Sequence, residues 1–176
     1  YSLSSAPYDQ TLRFCIKLLE NGVASTFFSS MKPGDVVEIK GPLGRFVARD
    51  GFSKLNFVAT GVGLAPIMGI LRDQLEQKKT SAPINLIFGV RHEKDIFWVN
   101  ELDALTKTHS NFSYLLCVSR PSETWTGKTG HVTNFLGEID ADTDYYMCGS
   151  AAMVMDVRTL LNQNGLKSEQ IHFEIF

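Results

Sequence analysis

The chain has 176 residues, an apolar share of 44% and a formal net charge of −2, which is typical of a folded globular protein of one or two domains. This charge gives no electrostatic reason to expect binding to nucleic acid or to a membrane surface. The apolar runs are shorter than the roughly 18 to 20 residues that cross a bilayer, so we expect no membrane span. The opening YSLSSAP shows no signal-peptide pattern, and we expect a cytoplasmic protein whose upstream strands are missing.

The first 50 residues carry a pattern that is typical of β structure. In TLRFCIKLL, residues 11–19, apolar and polar side chains alternate, which predicts a half-buried strand. The stretch NGVASTFFSSM predicts a loop and a short helix that begins near Ser25. KPGD then predicts a turn, and VVEIKGPLGRFV, residues 36–47, predicts further strand. These strands are too few to close a barrel, so we interpret residues 1–50 as part of a larger β domain.

From about residue 51 onward, short apolar strands alternate with helices. The predicted strands are KLNFVAT (54–60), INLIFGV (84–90), FSYLLCVS (112–119), DYYMCGS (144–150) and IHFEIF (171–176). The predicted helices are LAPIMGILRDQLEQKK (64–79), WVNELDALTK (98–107), HVTNFLGEI (131–139) and AAMVMDVRTLLNQNG (151–165). This alternation predicts a five-stranded, parallel, doubly wound sheet with helices on both faces. Ligands of such sheets bind at the carboxyl ends of the strands.

The loop after the first of these strands, TGVGLAP, has the composition of a phosphate-binding turn. Gly61 and Gly63 allow a tight turn and a close approach of the backbone to a ligand, and Pro66 suits the first turn of the following helix. The N-terminus of that helix favours a pyrophosphate. The fingerprint is incomplete, because Pro66 stands where a third glycine is expected. The loop therefore predicts a dinucleotide site, with a glycine-rich turn that binds nothing as the alternative.

The three cysteines exclude some kinds of metal site. Cys15, Cys117 and Cys148 lie far apart, whereas a zinc ribbon or an iron–sulfur cluster needs about four converging ligands, so we predict no metal site. Few, unpaired cysteines favour a reducing compartment. Cys15 and Cys117 lie in apolar strand patterns and are predicted to be core residues. Cys148 precedes a helix, where the pKa of a thiol tends to fall; it can be a ligand, a nucleophile, half of a disulfide or a wall beside a bound molecule.

Eight stretches of the chain, in order, resemble the ferredoxin–NADP reductase superfamily of flavin-dependent NAD(P)H oxidoreductases. They are YSLSS, GVAST, GPLGRF, TGVGLAP, FGVR, SRP with WTGKTGHV, YMCGSAAM and the terminal FEIF. The resemblance covers essentially the whole chain. It implies that residues 1–50 are the C-terminal part of an antiparallel β-barrel flavin-binding domain, and that residues 51–176 are the α/β NAD(P)-binding domain.

On the flavin side, the resemblance assigns Tyr1 to stacking on the isoalloxazine ring and Ser2 to a hydrogen bond near flavin N5. The arginine of the family's motif would precede the first residue. The segment GVAST would bind the FAD pyrophosphate, with the Ser25 hydroxyl as the helix cap. Its residues assigned to the cofactor are Gly22, Val23, Ala24 and Ser25. The alternatives are an exposed Tyr-Ser pair, a purely structural cap, and FMN in place of FAD.

On the nucleotide side, the resemblance places Arg91, Ser119 and Arg120 against the adenosine part of the dinucleotide. Two guanidinium groups there favour a 2′-phosphate and hence NADPH. Glu93 and Asp95 lie close by and can instead accept from a 2′-hydroxyl, which favours NADH, so the choice stays open. Solvated arginines are the alternative. The loop residues assigned to the dinucleotide are Thr60, Gly61, Gly63 and Pro66.

The reaction site implied by the resemblance lies at the ends of the last two strands. Cys148, followed by Gly149, would hold the nicotinamide against the flavin, although Ser150 replaces the proline of many members. Glu174 would relay protons or polarise the nicotinamide, and Phe176 would cover the flavin ring. The residues assigned to catalysis are Ser2, Cys148 and Glu174. A packed thiol and a solvent-facing carboxylate are the alternatives.

These assignments imply an enzyme that transfers hydride from NADH or NADPH to FAD and then passes electrons to an acceptor protein or metal centre. The expected acceptor is an iron–sulfur, haem or oxygenase protein or domain. Direct reduction of a small acceptor is a second possibility. A non-catalytic nucleotide-binding or regulatory electron-transfer subunit is the alternative from a different class.

Overall fold

The computed structural model describes residues 1–176 and is built on one parallel sheet of six strands. The strands are β1 (Lys54–Thr60), β2 (Ile84–Val90), β3 (Phe112–Val118), β4 (Lys128–Thr129), β5 (Thr143–Gly149) and β6 (Ile171–Ile175). Their spatial order is β4-β3-β2-β1-β5-β6, so the order reverses between β1 and β5. A cleft forms at such a reversal, outside the carboxyl ends of the strands.

Four α-helices accompany the sheet. They are α1 (Val23–Ser30), α2 (Leu64–Arg72), α3 (Val99–Thr108) and α4 (Ala151–Gln163). A 3-10 turn, Gly61–Gly63, leads into α2, and a π-helical turn, Asp73–Gln77, follows it. None of these helices has both the length and the apolar character that a bilayer crossing requires.

Alternation along the strands places a hydrophobic core on each face of the sheet. In β1, Leu55 and Phe57 point to one face, where they pack in a core that includes α2 and α3. Val58 points to the other face, in a core that includes residues of α4 such as Val154 and Val157. Helices therefore cover both faces, as the near-continuous apolar strands predicted. The doubly wound parallel sheet is confirmed.

Two elements of this part differ from the prediction. The two-residue strand β4 adds a sixth strand at the edge of the sheet, and it is too short to have a recognisable pattern. The predicted helix 131–139 is only a 3-10 turn, Val132–Phe135. Gly137 follows with a φ of +64°, a conformation that does not continue a right-handed helix.

The first 50 residues contain no regular strand in this structure. Residues 11–19 contribute only an isolated antiparallel bridge between Leu3 and Phe14, and residues 36–47 pair with no other segment. Val36 is 96% exposed and Leu43 is 79% exposed. A strand needs a continuous hydrogen-bonded neighbour. Residues 36–47 have none in this chain, and residues 11–19 have only the short contact with residues 3–4, so their alternation produces no sheet here. The helix that was expected near Ser25 is α1, which begins two residues earlier.

Candidate active site

A cleft of about 670 Å³ lies between the opening residues of the chain and the end of β6. Its walls come from both parts of the chain and bring together eight of the residues that the sequence assigned to the flavin. Those eight are Tyr1, Ser2, Gly22, Val23, Ala24, Ser25, Glu174 and Phe176. The remaining wall residues are Cys15, Ile16, Lys17, Leu19, Val62, Ala65 and Ile175, which the sequence did not single out as ligand-binding.

Three predicted catalytic side chains meet beside this cleft: Ser2 and Glu174 line it, whereas Cys148 is fully buried and is not one of its wall residues. Ser2 Oγ donates a hydrogen bond to Glu174 Oε2 at 2.6 Å. Cys148 Sγ lies 3.9 Å from the same oxygen, because Cys148 and Glu174 are partners in the parallel pairing of β5 and β6. The two ends of the chain, 172 positions apart, therefore share one hydrogen bond. A carboxylate so placed can accept or hold a proton next to a neutral thiol.

Cys148 is fully buried, and the expectation that its pKa falls is wrong. Burial raises the pKa of the thiol, and the charge of Glu174 and its hydrogen bond with the thiol raise it further. The start of α4, which tends to lower the pKa of a nearby thiol, does not offset this effect of burial. Cys148 therefore stays a neutral thiol, which is a poor nucleophile, and it is not part of a disulfide. The burial and the raised pKa therefore argue against the nucleophile and disulfide roles.

We expect Cys148 to resist alkylation in the folded protein. Its pKa lies above the ordinary thiol value of about 8.5, so at pH 8 the folded protein presents almost no thiolate at this position. Iodoacetamide treatment followed by peptide mass spectrometry measures the modification of each cysteine. In urea all three cysteines should react at similar rates. Rapid labelling of Cys148 in the folded protein, before Cys15, would contradict this picture.

The other two cysteines divide between the cleft and the core. Cys117 is buried in the sheet, as predicted, and burial raises its pKa to about 11. Cys15 is half-buried and lines the cleft, so its assignment to the core is wrong. The alternation of TLRFCIKLL does not indicate this, because Ile16 lines the cleft together with its neighbours Cys15 and Lys17.

The loop after β1 packs directly against the end of β5. A Cβ atom on Gly63 would lie 2.0 Å from the Cys148 carbonyl oxygen, so only glycine permits this contact. The Thr60 hydroxyl accepts the Ser150 N–H at 3.3 Å, just after Gly149 ends β5. This loop therefore supports the end of β5, where Cys148 lies, and Pro66 lies in the first turn of α2 as expected.

Ser150, the departure from the family's proline, has a structural function. Its hydroxyl accepts the N–H of Met153 at 3.3 Å and caps α4. An N-cap serine satisfies one of the free N–H groups at the start of a helix. The turn between β5 and α4 is thus held by a side-chain cap.

The segment assigned to the pyrophosphate differs in one detail from the expectation. Gly22 is the N-cap of α1, and no side chain caps this helix. The Ser25 hydroxyl instead accepts the N–H of Leu19 at 2.7 Å. The first N–H groups of α1 therefore have no partner within the helix and lie at the cleft wall, which suits a pyrophosphate. Tyr1 offers an exposed aromatic ring beside them, so the residues present fit a flavin dinucleotide.

The residues assigned to the adenosine lie apart from this cleft, at the ends of β2 and β3. Arg91 and Arg120 are exposed, and the N–H of Arg120 donates to the carbonyl of Arg91 at 2.8 Å. Ser119 follows β3 beside them. The Glu93 carboxylate accepts both the N–H and the hydroxyl of Ser122, at 3.1 and 2.8 Å. The sequence did not indicate this last contact, which fixes a carboxylate near the two arginines.

Two models of oxidoreductase domains match this chain. The FAD-binding domain model matches residues 1–47, and the NAD-binding domain model matches residues 57–159, which is more than half of the chain. The chain belongs to the ferredoxin–NADP reductase superfamily. Its two matched parts are the FAD-binding and NAD-binding domains of oxidoreductases, as the resemblance implied.

Curated relatives within the superfamily are clearly similar but longer. One component of the Na(+)-translocating NADH-quinone reductase of Idiomarina loihiensis is 35% identical over 167 residues, covering 90% of this chain and 41% of the relative. The toluate 1,2-dioxygenase electron transfer component of Pseudomonas putida is 33% identical over 180 residues, covering 100% of this chain and 53% of the relative. The chain therefore spans about half the length of the curated relatives it matches.

Solved structures of the superfamily share the fold. The cytochrome P450 reductase GcoB of Amycolatopsis has a TM-score of 0.88 and 26% identity, covering 100% of this chain and 55% of that one. A ferredoxin NADP+ reductase of Neisseria gonorrhoeae, solved with bound FAD and NADP, has a TM-score of 0.78 and 25% identity, covering 99% and 78%. The expected fold class, part of a flavin-binding barrel followed by a parallel nucleotide-binding sheet, is confirmed.

Proposed function

We propose that this chain transfers hydride from a nicotinamide nucleotide to FAD in the cleft and then passes electrons to a protein or metal-centre acceptor. One observation carries the proposal: Ser2, in the part matched by the FAD-binding model, donates to Glu174, which also lies 3.9 Å from Cys148 at the tip of the nucleotide-binding sheet. Flavin, when bound, supplies the chemistry that accepts a hydride and releases single electrons.

In this proposal the chain's own residues position the two cofactors and handle a proton. Tyr1 and Phe176, both exposed at the cleft, provide aromatic surfaces for flat rings. Cys148 is a small neutral side chain buried behind Glu174 at the end of β5, and we propose that the nicotinamide binds over this strand end. Glu174 accepts the Ser2 proton in a hydrogen bond, so this pair can hold a proton at the flavin edge.

We further propose NADH as the physiological reductant. The contact between Glu93 and Ser122 fixes a negative charge near Arg91 and Arg120, which opposes the binding of a 2′-phosphate and suits a 2′-hydroxyl. The names of the NADH-quinone reductase relatives support the same choice.

The acceptor is proposed to be a protein or domain that carries an iron–sulfur, haem or oxygenase centre. The names of two relatives support this: an electron transfer component of a dioxygenase and a cytochrome P450 reductase. A cytoplasmic location is part of the proposal, since the three cysteines are all free.

Rapid mixing of the FAD-loaded, full-length protein with NADH or NADPH under anaerobic conditions tests this function. We expect the flavin absorbance to bleach with both nucleotides, and to bleach faster at low nucleotide concentration with NADH. A protein that binds NADH but takes up no FAD would instead favour the non-catalytic nucleotide-binding alternative. Bound flavin that stays oxidised would contradict the proposal outright.

A further inference from the structure

Residues 1–9, which we call the N-terminal strap, lie directly on α2. Within the first 50 residues only Ser4, Ser5 and Ala6 are buried, and all three belong to the strap. A Cβ atom on Gly69 would lie 2.8 Å from the Ser5 carbonyl oxygen. The backbone of the strap therefore contacts α2 at Gly69, where the helix has no side chain. Because this contact is close, a lateral shift of the strap would displace the helix, and the reverse.

Arg72, at the end of α2, binds Asp9, the last residue of the strap. Its Nη1 and Nη2 donate to the two carboxylate oxygens of Asp9, at 2.7 and 3.2 Å. The Arg72 Nε donates to Glu76 at 3.2 Å, and the Tyr8 hydroxyl donates to the same carboxylate. The Arg72 and Asp9 side chains are only 22% and 13% exposed. A forked, partly buried pair of this kind fixes orientation as well as distance.

A tight turn between Ala6 and Asp9 connects Asp9 to the rest of the strap. The N–H of Ala6 donates to the Asp9 carboxylate at 3.0 Å, and the N–H of Asp9 donates to the Ala6 carbonyl at 3.0 Å. The N–H of Ser4 donates to the Arg13 carbonyl at 2.8 Å. Ser2, which contacts Glu174, is therefore joined to Arg72 by a segment that is fixed at several points.

The other end of α2 meets the reaction site. The helix has nine residues, so it is about 14 Å long, and the Gly61–Gly63 turn at its start packs on the Cys148 carbonyl. The same helix thus contacts the strap, which carries the flavin-side residues, and the sheet tip, which carries the nicotinamide-side residues.

We propose that Arg72, acting through Asp9, is a positioning residue for hydride transfer: it holds the strap on α2 and thereby keeps Ser2 against Glu174 beside Cys148. This inference rests on the proposed function. Reacting atoms must approach within about 3–3.5 Å, and a displacement of about 1 Å by a distant change can slow a reaction by about a hundredfold. Arg72 touches neither cofactor site, so its effect is transmitted by the strap.

Arg72→Met, Asp9→Asn and the double variant test this role by two readouts. In the FAD-free protein, we expect backbone amide exchange of residues 4–9 to become about tenfold faster in Arg72→Met, as for a loss of about 1.4 kcal/mol in local stability. In the FAD-loaded protein, we expect flavin reduction by NADH to slow about tenfold with FAD content unchanged. The double variant should be no slower than Arg72→Met, and Arg72→Lys, which keeps the charge without the fork, should be intermediate.

Lys78→Met is the matched control. Lys78 Nζ forms ion pairs with Asp50 at 2.8 Å and with Asp73 at 3.7 Å, so this variant removes a contact between residue 50 and the end of the same helical region. It leaves the strap untouched. We expect the amide exchange of residues 4–9 and the rate of flavin reduction to equal those of the wild-type protein. If Lys78→Met slows flavin reduction as much as Arg72→Met does, Arg72 has no specific role.

Gly69→Ala supplies an independent test if Arg72→Met folds poorly. The new Cβ would lie 2.8 Å from the Ser5 carbonyl oxygen, a backbone atom that must shift. We therefore expect a modestly lower melting temperature together with faster strap exchange and slower flavin reduction. If NADH reduces the flavin of the wild-type protein, and reduces it equally fast in Gly69→Ala and Arg72→Met, only the positioning role of Arg72 is overturned. Wild-type protein that binds FAD but is not reduced overturns the proposed function and this inference with it.

Discussion

Replacing Gly63 with alanine is expected to lower the free energy of unfolding by about 3 kcal/mol. The new Cβ would lie 2.0 Å from the Cys148 carbonyl oxygen and 2.8 Å from the Gly149 nitrogen. Both are backbone atoms of β5, which pairs with β1 through Ala59 and Cys148, so neither can move without disturbing the centre of the sheet. Urea unfolding followed by circular dichroism measures the loss.

Gly61→Ala is the control for this prediction because it lies in the same turn. Gly61 has a φ of +54°, but no heavy atom lies within 4 Å of the position its Cβ would take. We therefore expect only the conformational cost of about 1 kcal/mol. A Gly63→Ala protein as stable as Gly61→Ala would show that the close packing of this loop on the end of β5 does not require glycine.

Replacing Glu174 with glutamine is expected to slow flavin reduction by NADH about a hundredfold, the lower part of the range for loss of a proton-handling group. The amide oxygen can still accept the Ser2 hydrogen bond, so the shape of the cleft and its FAD content should be retained. What is lost is the carboxylate charge between Ser2 and Cys148. Anaerobic rapid mixing at saturating NADH measures the step directly.

Glu169→Gln is the matched control, since Glu169 is an exposed carboxylate five residues earlier, in the 3-10 turn before β6. It should be reduced at the wild-type rate. If Glu174→Gln is also reduced at that rate, Glu174 is only a structural partner of Ser2. The proposed proton-handling role would then be wrong.

The sequence predicted the nucleotide-binding sheet well because the information that forms it is local. In β1, the alternation of Leu55 and Phe57 with Val58 fixes which side chains face each core, and the Gly61–Gly63 turn follows at once. Each strand and helix is specified by its own residues, and the βαβ connection is almost always right-handed. The strand β4 was missed because two residues are too few to show an alternating pattern of apolar and polar side chains.

The same reasoning failed for the first 50 residues because a strand is specified jointly with its neighbour. The alternation at 11–19 and 36–47 predicts strands, yet Val36 and Leu43 face solvent here and no neighbouring segment pairs with them. Pattern alone does not say where a partner strand comes from. Similarity to known flavin-binding domains, rather than periodicity, identified this part.

The site shows a second limit of local reasoning. The resemblance assigned Ser2 and Glu174 separately to the flavin site, but nothing in the sequence indicated the hydrogen bond between them, since 172 positions separate them. The local rule that a helix start lowers the pKa of a thiol failed for Cys148, because burial in the sheet raises that pKa more strongly. Arg72 has no motif at all, and its contact with Asp9 became visible only in three dimensions.

We propose that the flavin and nicotinamide rings meet where Ser2, Cys148 and Glu174 converge. A crystal structure of the full-length protein with FAD and the oxidised nicotinamide nucleotide tests it most directly. We predict flavin N5 beside the Ser2 hydroxyl and nicotinamide C4 over Cys148, with the two reacting atoms about 3–4 Å apart. A flavin ring bound away from Ser2, or a nicotinamide that cannot reach Cys148, would contradict the account.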